Sequence, residues 1–109
     1  MSVMVTVKTT MTSASTARKA FERRFNNVKV SGNSLTMGIR PAGRNWDVNV
    51  TFDLNKMEAR LDSDHRGNID ALMDEAYRAE EIIQAAEDEG RLWTESRNDE
   101  NELVLEIEW

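Results

Sequence analysis

The sequence predicts an α+β fold, a two-layer sandwich in which an antiparallel sheet of about five to six strands carries two helices on one face. Apolar and polar residues alternate strictly on both sides of Asn55-Lys56, as in a β-hairpin with one buried face. Residues 17–25 and 69–86 instead repeat apolar residues at spacings of three and four, the period of an amphipathic helix. The other strand-like segments are short and linked by turns, which favours antiparallel pairing. The 109 residues form one domain, 1–109, in the order β-α-β-β-β-β-α-β-β.

The segment 46–61 organises the predicted sheet. Its alternation places every second side chain on one apolar face, which packs against the helices, and leaves the polar side chains to solvent. Asn55-Lys56 is predicted to be the two-residue turn between the two strands. The apolar face consists of Trp46, Val48, Val50, Phe52 and Leu54, continued by Met57, Ala59 and Leu61.

The first half of the chain predicts three further strands and one helix. Alternating valines indicate a strand that starts at Val3 and runs to about Thr10. Ser and Thr residues at positions 12–16 offer N-caps to the following helix, which Asn26-Asn27 ends. The next strands are expected at residues 28–30 and 35–39, before a loop that contains the only proline.

The second half predicts the main helix and a final hairpin. Asn68 is expected to cap the helix, and Gly90 lies where a left-handed C-cap residue would stand. Strands near residues 92–95 and 103–109 flank an acidic turn at residues 98–101. The buried helical stripe is Ile69, Leu72, Met73, Ala76, Ala79, Ile83 and Ala86, and the last strand shares one apolar face among Leu103, Leu105, Ile107 and Trp109.

Charge is divided unevenly along the chain. Residues 1–60 contain ten Lys or Arg and four Asp or Glu, a net charge of +6, whereas residues 61–109 contain four Arg and sixteen Asp or Glu, a net charge of −12. One interpretation is that the two halves interleave and neutralise each other. The other is that the acidic half forms a surface facing a basic partner.

Composition narrows the functional classes. The chain has no cysteine, so it has no disulfide, no thiolate nucleophile and no zinc-finger ligand set. No apolar run approaches the ~20 residues that cross a bilayer, and the N-terminus lacks the pattern of a signal peptide. We therefore expect a cytoplasmic protein without membrane contact, cofactor or enzymatic activity.

Both ends of the chain resemble a family of small uncharacterised proteins, known from cyanobacteria and from a conserved reading frame of algal chloroplasts. The resemblance rests on Met1-Ser2, Val7-Lys8-Thr9 and Ala17-Arg18-Lys19-Ala20-Phe21-Glu22 at the start. At the end it rests on Tyr77, Ile82-Ile83, Ala86, Gly90, the turn at residues 98–101 and Leu103-Val104-Leu105 before a final Trp109. It implies a shared fold without an established activity, and genes for a chaperone-like ATPase are among the family's suggested associates. The segment 62–67 departs from the family's Trp-rich stretch, and the short acidic form resembles a bacteriophage product.

One turn resembles a metal site. Asp62, Asp64 and His65 place two carboxylates and an imidazole within four residues, a set that holds a divalent cation in some hydrolases. The turn lacks the glycine and distal glutamate of a calcium loop, and a polar turn leading into the helix accounts for the same residues. A metal-assisted hydrolase is therefore the third functional hypothesis, and His65 is its only candidate acid–base group.

Basic residues beside an aromatic residue form a second motif. Arg40, Arg44 and Lys56 lie near Trp46, and such sets can hold a phosphate and stack a base. However, Trp46 is in register with the core residues, and the net charge of −6 disfavours direct nucleic-acid binding.

The strongest feature outside the core is acidic. We predict a non-enzymatic protein-binding module that meets a basic partner surface through its acidic half. The alternative is a phage-encoded inhibitor of a host defence or nucleic-acid enzyme that imitates phosphates. Unpaired sheet edges could also join subunits into a homo-oligomer. The predicted binding residues are Asp70, Asp74, Glu81 and Asp88 on the helix, with Glu106 and Glu108 on the last strand.

Overall fold

The computed structural model describes residues 3–108 and confirms the α+β class. Five strands form an antiparallel sheet in the order β1-β5-β4-β3-β2, and two further strands pair only with each other. The strands are β1 (Met4–Lys8), β2 (Asn26–Ser31), β3 (Ser34–Ile39), β4 (Val48–Asp53), β5 (Glu58–Asp62), β6 (Trp93–Arg97) and β7 (Leu103–Ile107), and the helices are α1 (Ala14–Arg24) and α2 (Arg66–Asp88).

The core lies between the five-stranded sheet and the two helices. Alternation on β3, β4 and β5 sends every second side chain into this layer, and the intervening residues, such as Thr36 and Thr51, remain exposed. Phe21 of α1 meets Phe52 of β4 edge to face, with ring centroids 4.9 Å apart and both side chains fully buried. The predicted hydrophobic face of the sheet is therefore confirmed from Val48 onward, and the predicted stripe of the main helix is confirmed as well, with Leu54, Met57 and Leu72 partly buried at the edge of the core.

Hydrogen bonds fix the start of α1, and the entry into β2 ends it. The Ser13 hydroxyl accepts a hydrogen bond from the Thr16 amide at 3.2 Å, which confirms an N-cap among the predicted Ser and Thr residues. The hydroxyl of Tyr77 on α2 accepts from the amides of Thr12 and Ser13, fixing this end of α1 to the second helix. At the other end the chain enters β2 directly at Asn26, earlier than the predicted strand.

The main helix starts earlier than predicted. Asn68 lies inside α2, which follows the 3₁₀ turn Ser63–His65 and has no side-chain cap of its own. Asp62 caps that turn, because its carboxylate accepts from the Asp64 amide at 2.9 Å. The predicted C-terminal signal is confirmed, since Gly90 has φ +70°. Its neighbour Arg91 donates from its amide to the Ala86 carbonyl at 2.9 Å, as in a Schellman cap.

The turn between β4 and β5 is longer than the predicted Asn55-Lys56 pair. The Asp53 carboxylate accepts from the amides of Asn55 and Lys56, at 2.8 and 2.9 Å. Met57 closes the loop with φ +57° and donates to the Asp53 carbonyl at 2.7 Å. An aspartate that binds its own downstream amides offers the backbone an alternative to a tight two-residue turn.

Two expectations about the core are corrected. Trp46 precedes β4 in an irregular segment and is 42% exposed, because the regular alternation begins only at Val48. Leu105 and Ile107 are half-buried rather than core residues, since β6 and β7 form their own hairpin beside α2. Trp109 and the Met1-Ser2 pair lie outside the described residues. Within residues 3–108 no helix has the length and apolar character needed to cross a membrane.

Candidate functional site: a groove between the main helix and the last strand

An open groove of about 530 Å³ lies between α2 and β7. Ile82, which is 48% exposed, is its main apolar contribution from the helix, and Leu103 and Leu105 are the contribution of the strand. Charged side chains also line it. The remaining lining residues are Ala71, Asp74, Glu75, Arg78, Ala79 and Glu102.

The groove exists because the two strands of the hairpin dock differently. Residues paired across an antiparallel ladder share a face, so Glu95 and Arg97 of β6 lie on the same face as Leu105 and Leu103 of β7. We call the five-stranded sheet and the two helices the body of the protein. The β6 residues are attached to the body by ion pairs: both terminal nitrogens of Arg24 bind Glu95, at 3.0 and 3.1 Å. Arg97 binds both carboxylate oxygens of Glu75, at 2.9 and 3.1 Å. The apolar β7 residues are left only partly covered.

An acidic ridge runs along α2 beside the groove. Asp70, Asp74, Glu81 and Asp88 are spaced by four and seven residues, so they form one stripe on the helix. Asp74 belongs both to the ridge and to the groove lining, and it pairs with Arg78 at 2.9 Å. Within residues 3–108 the other three ridge carboxylates have no ion pair.

The structure gathers four of the six predicted binding carboxylates and separates the other two. Glu106 alternates with Leu105 and Ile107, so it lies on the hairpin face turned away from α2. Glu108 follows β7, where its amide donates to the Leu92 carbonyl at 2.9 Å. These two carboxylates are exposed but do not extend the ridge.

Some of the charge split is neutralised inside the fold. Arg23 of α1 binds the buried Glu80 of α2 at 2.8 Å, and Arg24 binds Glu95 as described. Both pairs join the basic first half to the acidic second half. The ridge carboxylates remain on the surface, so interleaving and a residual acidic surface are both present.

The predicted metal-like turn is a structural cap. Asp62 is occupied by the Asp64 amide, and the His65 ring packs against Trp46 with centroids 5.1 Å apart. Within the part of the chain that the structure describes, no three His, Asp or Glu side chains converge to hold a metal ion. The geometry gives the hydrolase hypothesis no support.

The predicted basic set around Trp46 is only partly assembled. The Arg44 guanidinium lies 5.9 Å from the centroid of the Trp46 ring, and Arg40 pairs with Asp47 at 3.2 Å. Lys56 stands at the opposite end of β4, in the turn that follows the strand. An exposed aromatic between Arg44 and His65 was missed because the alternation suggested burial of Trp46.

Sequence reasoning also missed the apolar part of the groove, although a signal was available. Ile83 belongs to the buried stripe of α2, and consecutive helical residues are about 100° apart. Ile82 must therefore lie at the side of that stripe, among acidic and exposed positions. An isoleucine there indicates a partly covered or docking position rather than a solvated one.

Comparison of the chain with models of protein families, with curated proteins and with solved structures gives no match. The resemblance to the cyanobacterial and chloroplast family accordingly stays a prediction.

Proposed function

We propose that the protein is a non-enzymatic binding module whose groove between α2 and β7 holds an amphipathic, basic segment of a protein partner. One observation carries this proposal. Partly exposed Ile82, Leu103 and Leu105 line the groove together with the ridge carboxylate Asp74. Asp74 pairs with Arg78, whereas the other three ridge carboxylates, on the same stripe of α2, have no ion pair within residues 3–108. The complementary ligand therefore presents apolar side chains to the groove and Lys or Arg to the ridge.

The two parts of the surface have different physical roles. Covering the exposed half of Ile82 and its neighbours removes apolar area from water, which supplies affinity at about 25 cal/mol per Å². The ridge attracts a basic segment from solution and fixes its orientation, mainly by raising the association rate. Because ridge charges are exposed, added salt weakens their contribution strongly.

A defined peptide tests the proposal directly. The probe is a fluorescently labelled peptide with leucines on one face and lysines on the other, and its control replaces every lysine by glutamate. We expect only the basic peptide to bind in fluorescence anisotropy, with chemical-shift changes centred on Ile82 and Leu105. Ile82→Ser should weaken binding about tenfold, a loss of about 1.4 kcal/mol.

Matched variants distinguish binding in the groove from nonspecific binding to exposed apolar or acidic residues elsewhere on the surface. Leu92 is 71% exposed and lies outside the groove lining, so Leu92→Ser should leave the affinity unchanged. Glu81→Gln should slow association, whereas Glu100→Gln, in the turn after β6, should have little effect. Equal losses for Ile82→Ser and Leu92→Ser, or equal affinity for the acidic peptide, would contradict the proposal.

Phosphate mimicry is a narrower alternative that the same variants distinguish. The spacing of four and seven residues along α2 supports it, because it aligns carboxylates in one row. An inhibitor that imitates a nucleic-acid backbone needs the ridge but not the groove. In that case neutralising Asp70 and Glu81 would abolish binding to a basic nuclease cleft, and Ile82→Ser would have no effect.

A further inference from the structure

A second concavity, of about 460 Å³, is lined by residues of β6 rather than β7, and we call it the arginine cleft. It is bounded by the end of α1, the start of β2, the end of β3, the middle of α2, and β6. Its volume falls in the range of small-molecule pockets, roughly 300–1,000 Å³. Its charged and larger apolar lining residues are Arg23, Arg24, Arg40, Arg97, Glu75, Glu95, Phe25 and Leu72.

The arginines of the cleft are held in place before any ligand arrives. Both terminal nitrogens of Arg24 are bound by Glu95, and both terminal nitrogens of Arg97 by Glu75. Arg23 is fixed by Glu80, and its guanidinium lies 5.3 Å from the centroid of the Trp93 ring. Guanidiniums immobilised in this way lose little further entropy when they bind an additional group.

Hydrogen-bond donors in the cleft outnumber the acceptors left for them. The Nε atom of Arg24 is buried and has no acceptor within residues 3–108, in a side chain that is only 11% exposed. Arg23 and Arg40 use only their Nε atoms in their ion pairs, and within residues 3–108 their terminal nitrogens donate to no acceptor. Glu75 and Glu95 already accept bidentate hydrogen bonds from Arg97 and Arg24. Such a donor-rich wall is complementary to an oxyanion.

The sheet end of the cleft is built around Gly38. A Cβ atom at this position would lie 2.9 Å from Oδ2 of Asp47, so glycine is needed for Asp47 to pack over the strand. Asp47 in turn accepts from Asn26 Nδ2 and Arg40 Nε, both at 3.2 Å. The adjoining β2 has a bulge at Asn27, where φ is +53°. The pair with Asp47 therefore holds the Arg40 side chain in the lining of the cleft.

We infer that the arginine cleft binds a small organic anion, a phosphate or carboxylate group carried on an apolar body. The oxyanion lies against Arg23, Arg24 and Arg40, and the apolar body lies against Phe25 and Leu72. The cleft shares only Glu75 with the lining of the groove, and the inference does not rest on the proposed function of the groove.

Titration with simple anions tests the inference. The probes are phenyl phosphate, benzoate, inorganic phosphate and the neutral benzyl alcohol, each followed by chemical-shift changes in the full chain. We expect phenyl phosphate or benzoate to bind more tightly than inorganic phosphate, and benzyl alcohol to give no saturable response. Whichever organic anion binds more tightly identifies the head group. Shifts should centre on Arg24, Asn26 and Leu72.

Paired arginine variants decide whether the cleft is responsible. Arg40→Gln should weaken the organic anion about tenfold, the effect of losing one charge-assisted hydrogen bond, whereas Arg44→Gln on the same loop should not. Arg23→Gln should also weaken binding of the organic anion about tenfold. Its control is Arg18→Gln, which lies earlier on α1 and should leave the affinity unchanged. Equal losses in the cleft and control variants, or no preference for the apolar body, would overturn the inference.

Discussion

The five-stranded sheet and the C-terminal hairpin are both antiparallel and both alternate, yet they are held by different forces. Phe52, Leu35 and Leu61 in the sheet are fully buried, whereas no described residue of β6 or β7 is. The hairpin is attached instead by the Arg24–Glu95 and Arg97–Glu75 ion pairs and by partial apolar contact with α2. An alternating strand therefore reveals an apolar face, but the identity of its covering layer depends on tertiary packing.

This difference also places the two candidate sites. The ion pairs of β6 line the arginine cleft, and the apolar residues of β7 line the groove. Both sites lie at the junction between a rigid body and a lightly attached element. Binding regions are drawn from the less stable parts of a fold because an occupant can order them.

The largest effect should come from the centre of the body. Phe52→Ala is expected to lower the free energy of unfolding by about 3–5 kcal/mol, because it removes a fully buried ring and leaves a cavity beside Phe21. Chemical denaturation measures the change, and Thr51→Ala, at the exposed neighbouring position, is the control. A loss below about 1 kcal/mol would mean that the body is not held by its apolar layer.

A steric test addresses the edge where the body meets the arginine cleft. Gly38→Ala should cost roughly 1–3 kcal/mol by forcing Asp47 off the strand. The double variant with Asp47→Gly removes the obstructing side chain, so the two changes should be strongly non-additive in denaturation experiments. Additive losses would show that Gly38 is needed for another reason.

The local elements could largely be predicted from sequence, because alternation and helical spacing each follow from one strand or one helix. The N-cap region, the Gly90 cap and the buried stripe of α2 all rest on such local rules. The departure of the final hairpin from the main sheet could not be predicted. It depends on pairing between distant charges, such as Arg24 with Glu95, that no local pattern reports.

The candidate sites were predictable only in part. The spacing of Asp70, Asp74, Glu81 and Asp88 is a property of one helix, and the structure places them on one stripe. The groove and the arginine cleft each combine residues from at least two elements far apart in the chain. Their assembly therefore requires the tertiary structure.

A smaller test concerns the turn between β4 and β5. The Lys56 amide, helped by the Asn55 amide and the Lys56 charge, holds the pKa of Asp53 below its usual value of 3.8. Since the folded-state pKa is lowered, the carboxylate stabilises the fold above pH 3.8, and this contribution is lost as pH falls through the lowered pKa. A carbon-detected NMR titration should show Asp53 titrating below its value in the urea-unfolded chain. An unchanged pKa would mean that the hydrogen bonds of the turn do not stabilise the Asp53 carboxylate.

Hydrogen exchange of individual amides tests the contrast between body and hairpin most directly. We expect the amides of β6 and β7 to open at a lower free energy than those of β3 and β4, and about 1 M salt or Glu95→Gln to lower the opening free energy of the hairpin further. The β3 and β4 amides should respond to neither change. Hairpin amides that exchange only with global unfolding, and are insensitive to salt and to Glu95→Gln, would contradict the account.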